Sequence, residues 1–239
     1  YFLAKKFSKF SSLVYLWIKT FSYVIIFFLL FCALGLHPFS WSSLVSCFFP
    51  IRNDFYWFVS MYVGMYVLAP VMNKLILALT KRQLACACAL ALALVSVWPN
   101  IFYFSSALNT AGGVSISWFL TIYLCGAYIR LYYQPDGKFL KWFLPAVGTS
   151  LLIPLSRFVI EALLSSPFGA ISFLDDLMWG YSVFYVYSSI LVTAASIFLF
   201  LAFLNLRIAP GRGAGLINRI AGASFGVYLI HDHYYIRES

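Results

Sequence analysis

Long apolar runs alternate along the chain with short polar or basic stretches. The runs predict helical membrane spans at about 11–36, 55–73, 84–98, 114–133, 139–164, 181–206 and 217–231. Helix breakers separate them: His37-Pro38 after the first, Trp98-Pro99-Asn100 after the third, and the turn Gln134-Pro135-Asp136-Gly137-Lys138 after the fourth. The residues between 37 and 54 read as a connecting segment with Trp41 at the membrane interface. The expected fold class is all-α: a polytopic transmembrane helical bundle of about seven spans, forming one membrane domain over residues 1–239.

The stretch Pro50–Arg82 shows the pattern most fully. A polar knot, Arg52-Asn53-Asp54, is followed by Phe55, Tyr56 and Trp57. An apolar helix interrupted only by Pro70 comes next, and Lys74, Lys81 and Arg82 close it. Aromatic belt, apolar core and basic stop make a spanning unit in a bilayer.

Composition agrees with this picture. The chain is 63% hydrophobic and 10% charged, too little polar surface to cover the core of a soluble domain of 239 residues. Its net charge of +9 is not arranged as a stripe that would track nucleic-acid phosphates. Instead Lys5/Lys6/Lys9, Lys74/Lys81/Arg82, Arg130/Lys138/Lys141 and Arg207/Arg212/Arg219 fall on alternate loops. By the positive-inside rule those loops are cytoplasmic, so the start faces the cytoplasm and the His231 end faces outward. Lys19, inside the first span, is expected to snorkel toward the basic side. The five cysteines are odd in number and scattered, which favours buried thiols over a disulfide framework or a metal site.

Few residues in such a chain carry candidate chemistry. Arg52-Asn53-Asp54 with Tyr56 and Trp57 combines hydrogen-bonding groups and stacking rings, which suits a sugar; the plainer alternative is an interfacial belt with a turn. His231-Asp232-His233 places imidazole beside carboxylate, the material of general-base catalysis, or else an interfacial polar cluster. Residues two apart on a helix diverge, so the two histidines make a poor metal site. Lys6 and Lys9, with Lys5, share a basic face suited to the phosphates of coenzyme A or simply to positive-inside topology. Arg157 and Glu161 share a helix face, favouring a self-neutralising ion pair between helices. Gly222 and Gly226 form a G-x-x-x-G packing motif. No span carries a carboxylate at mid-membrane, which argues against an ion-coupled transporter.

Three stretches resemble the membrane-bound acyltransferase-3 family, in particular bacterial cell-surface polysaccharide O-acetyltransferases. FFPIRNDFYWFVSMYVGMYVLAPVMNKLI is similar to the family's Trp-Phe pattern, Tyr-rich helix, and Pro and Asn before Lys. WFLTIYLCGAYIRLYY (118–133) and INRIAGASFGVYLIHDHYYIR (217–237) are similar to two further family helices, in the same order. The opening Tyr1-Phe2-Leu3 looks like the end of the family's Ser-Gly-Tyr-Phe motif. The resemblance therefore implies a partial domain, lacking two helices ahead of Tyr1 and one after Ser239, with about ten spans in the intact protein.

What the resemblance implies about function is acyl transfer, with acetyl-CoA as donor, no metal, and a hydroxyl of a surface polysaccharide or glycolipid as acceptor. Lys6-Phe7-Ser8-Lys9 stands where the family has an R-x-x-R linked to the donor; lysine keeps the charge but not the bidentate fork. Asp54, Trp57 and Tyr62 are expected to face the acceptor, and His231 and Asp232 to line the outer mouth as catalytic candidates. The family's main catalytic histidine belongs to its first helix, so residues 1–239 alone are expected to be inactive. The expected partners are the bilayer, the glycan acceptor and acyl-CoA, with no nucleic acid. The alternative is a flippase or exporter of polysaccharide or lipid-linked sugar, using the same aromatic mouth without chemistry.

Overall fold

The computed structural model describes residues 11–49, 56–101, 110–165, 184–207 and 211–237. Among these residues every regular element is helical. In chain order they are α1 (Ser11–Ala33), α2 (Trp41–Cys47), α3 (Trp57–Ala78), α4 (Lys81–Leu92), α5 (Trp98–Ile101), α6 (Ile116–Tyr132), α7 (Phe139–Leu164), α8 (Ile190–Asn205), α9 (Arg212–His231) and α10 (Tyr234–Arg237). A π-helical segment, Ala93–Val97, joins α4 to α5, and a 3₁₀ turn, Ala111–Gly113, precedes α6.

Among the described residues four helices are long and apolar enough to cross a membrane: α1, α3, α7 and α9. The apolar helices α6 and α8 are shorter. Leu29, Leu30, Val67, Val71, Leu151 and Phe158 all stand exposed on these helices. In water such surface drives aggregation; against acyl chains it needs no cover. This is a helical membrane protein.

Local chemistry explains the helix boundaries. Thr80 and Gln83 form a reciprocal capping box, so α4 starts at Lys81, ahead of the apolar run expected from 84. Ser115 accepts the Trp118 N–H to start α6, and Ser189 accepts the Val192 N–H to start α8. Of the run expected from 181, the described residues 184–189 precede this helix, which starts at Ile190. The connecting segment after the first span contains α2, a helix of two turns. The polar positions inside helices bond backward: Thr20 donates to Leu16, Thr121 to Ser117 and Thr193 to Ser189, each to a carbonyl one turn earlier. That removes their hydroxyls from the apolar phase.

The chain forms two compact units, Tyr1–Pro70 with Ile208–Ser239, and Val71–Arg207. In the second, α7 packs along α8, and α4 packs on α6. Its polar lock is Asn205, at the end of α8. The Asn205 side-chain oxygen accepts the Asp136 and Gly137 N–H groups at 2.8 and 3.0 Å. The Asn205 amide nitrogen donates to the Tyr133 hydroxyl and the Leu201 carbonyl. Lys141 pairs with Asp136 at 3.3 Å across the same turn. The Lys138 main-chain N–H and the Lys141 ammonium together hold the Asp136 carboxyl below its ordinary range.

In the first unit α1, α2, α9, α10 and the start of α3 enclose a core of Val24, Phe28, Cys47, Tyr56, Val59 and Leu229. The expected pair Arg157–Glu161 lies in the other unit, on α7, at 2.6 Å with both side chains about half exposed.

Candidate functional site

The first unit holds the site-forming geometry. Residues meet along α1 and α9 in the same sense: Lys19 with Phe225, Tyr23 with the backbone at Gly226, and Phe27 with His233 just beyond the end of α9. The two helices therefore run in parallel. Gly226 is where they come close, because a Cβ there would meet the Tyr23 hydroxyl at 2.9 Å.

At the end of α9 the chain turns and buries a polar cluster. Tyr56 donates its hydroxyl to the Leu229 carbonyl at 2.6 Å. The His233 ring lies 4.6 Å from Phe27 and 5.7 Å from Tyr56, centroid to centroid, and its side chain is fully enclosed. Burial pushes the His233 imidazole down to about 4, so it is neutral at physiological pH.

Some two helical turns from Phe27 toward the start of α1, a cavity of about 310 Å³ opens between α1, α3 and α9. Ser12, Tyr15 and Lys19 line it from α1, Tyr62 from α3 and Phe225 from α9. The Lys19 ammonium sits 5.1 Å from the centre of the Phe225 ring, a cation–π arrangement. Aromatic walls with a few hydroxyls and one cation suit a ligand with an apolar face and an oxygen-rich or anionic edge.

A family model described as an acyltransferase domain, acyltransferase-3, matches residues 7–236. The chain belongs to the acyltransferase-3 family. It is a membrane acyltransferase domain. No curated relative and no solved structure matches it.

Within this acyltransferase-3 domain the residues singled out from sequence fall into three groups. Lys6, Lys9 and Asp54 lie outside the described residues. Trp57 begins α3 half-buried, edge-on to Phe58, while Tyr62, one and a half turns on, is 38% exposed and lines the cavity. His231 is the last residue of α9 and is exposed; Asp232 is its half-buried C-cap, donating its N–H to the Tyr228 carbonyl.

The structure brings two unselected residues into this unit's key contacts. His233, third in the triplet, packs on Tyr56, whereas His231 faces outward. Lys19 takes a place in the cavity wall. For Lys19 a signal existed in the sequence, since it is the one charge in Ser11–Ala33. For His233 none did: which of two neighbouring histidines turns inward depends on the turn that ends α9.

Proposed function

We propose that this protein moves an acetyl group from acetyl-CoA to a hydroxyl of a cell-surface polysaccharide or glycolipid. The observation that carries this reading is the acyltransferase-3 match over residues 7–236, nearly the whole chain. In this reading the domain is multi-pass in the cell membrane, with its start cytoplasmic and the His231 end outside, as the alternation of basic loops requires.

The roles follow from chemistry. Lys6 and Lys9 supply cationic donors for the phosphates of the acyl donor on the cytoplasmic side. Asp54, Trp57 and Tyr62 face the acceptor. His231, exposed beside Asp232, is open to a substrate arriving at the outer mouth. A general base takes the proton of the acceptor hydroxyl, the oxygen attacks the acyl carbonyl, and the carbon–sulfur bond breaks to release the thiol. His233 is unsuited to that task because its ring is enclosed.

The test is the ester content of the cell surface. Polysaccharide from cells lacking the gene should lose base-labile O-acetyl groups, read as acetyl methyl resonances by NMR. An unchanged acetyl content would rule out this acceptor class.

A further inference from the structure

We propose that the cavity at Lys19 binds the phosphate head of an anionic membrane phospholipid, with the lipid's apolar part against the aromatic wall. This goes beyond acyl transfer and stands without it. The first observation is the charge. Lys19 is the one ionisable cation in α1, eight residues from its start. It is part-buried and has no carboxylate within ion-pair distance among the described residues.

In the first unit the described residues include a single carboxylate, Asp232. It lies next to His233, which packs at the level of Phe27, about 12 Å along α1 from Lys19 at the helical rise. The Phe225 face offsets part of the cost of a cation at this depth, but it cannot neutralise it. An anion from outside the protein can.

The second observation is the shape and lining of the space. Ser12 and Tyr15 continue the cavity from Lys19 toward the start of α1, and Tyr62 faces them from α3. Three hydroxyl donors and an ammonium therefore border one space, the donor set that phosphate oxygens accept from. Leu16, Phe58, Val59 and Phe225 make the remaining wall apolar. A free phosphate would leave that wall wet, whereas a lipid covers it. By the charge alternation the start of α1 lies at the cytoplasmic leaflet, the leaflet richest in anionic lipid.

The experiment is native mass spectrometry of the full-length protein in detergent, titrated separately with phosphatidylglycerol, phosphatidylcholine and coenzyme A. The wild type should retain one phosphatidylglycerol in preference to phosphatidylcholine. Lys19→Met should weaken that retention about tenfold, and Lys19→Arg should preserve it. Thermal melts of both variants establish that each is folded. Equal retention of phosphatidylglycerol by wild type and Lys19→Met would overturn the proposal. So would equal retention of the two lipids by wild type, or a Lys19 dependence seen with coenzyme A and not with phosphatidylglycerol.

Discussion

Tyr56 and Leu229 are 173 residues apart in sequence, yet the tyrosine hydroxyl donates to the leucine carbonyl at 2.6 Å in a buried setting. The last carbonyls of a helix have no partner within it. At the end of α9 the Asp232 N–H serves Tyr228 and the His233 N–H serves Ile230, which leaves the Leu229 carbonyl to Tyr56. One side chain thus terminates α9 and anchors the start of α3. The cavity bearing Lys19 and Tyr62 lies between these same helices.

Tyr56→Phe keeps the ring in the core and removes the donor. A buried carbonyl left without its hydrogen bond costs about 1–3 kcal/mol. The variant should fold, with a lower unfolding temperature in detergent by circular dichroism. An unshifted melt would show that this bond contributes nothing to stability.

Asn205 makes a similar point in the second unit. Its side chain is 2% exposed and bonds Asp136, Gly137, Tyr133 and Leu201. Asn205→Leu fills the volume but abandons two main-chain N–H groups and a phenol, so it should destabilise by about 2–4 kcal/mol. Limited proteolysis should then cut first in the Gln134–Lys138 turn. A cleavage pattern and melting temperature like those of the wild type would refute this role.

His233 predicts a pH dependence with a definite sign. Its folded pKa of about 4 lies below the value of about 6.5 expected when unfolded, so the unfolded chain binds the extra proton. Stability should be full above pH about 6.5 and fall as pH drops toward 4, by at most about 3 kcal/mol. His233→Leu should flatten the melting temperature between pH about 6.5 and 5, a window above most carboxylate titrations. A slope as steep in that variant as in the wild type would place the titration elsewhere.

How much of this was legible in the sequence differs between fold and site. The helical membrane class was legible because a bilayer demands long apolar runs, and α1, α3, α7 and α9 supply them. The early start of α4 was also open to view in Thr80 and Gln83, a capping pair three residues apart. Helix α2 was not, since seven residues of mixed polarity carry no span signal and its buried Cys47 depends on the Val24 and Phe28 side of α1. The π-helical segment Ala93–Val97 has no breaker of its own to announce it.

The site was less legible still. The Lys19 cavity joins residues from α1, α3 and α9 that lie up to some two hundred positions apart, and no local pattern encodes such a meeting. Tyr62 was singled out for a substrate role and does line that cavity, whereas the role itself rests on the proposed function.

The measurement that bears most directly on the central claim is acyl transfer itself. Membranes carrying the full-length protein would be incubated with acetyl-CoA labelled in the acetyl group and with the polysaccharide of the same cells. Label should appear in base-labile ester on the glycan, in step with release of free thiol, and Tyr62→Ala should reduce it. Glycan that stays unlabelled, while the same protein moves glycan or lipid-linked sugar across the bilayer, would contradict the account and identify a carrier instead.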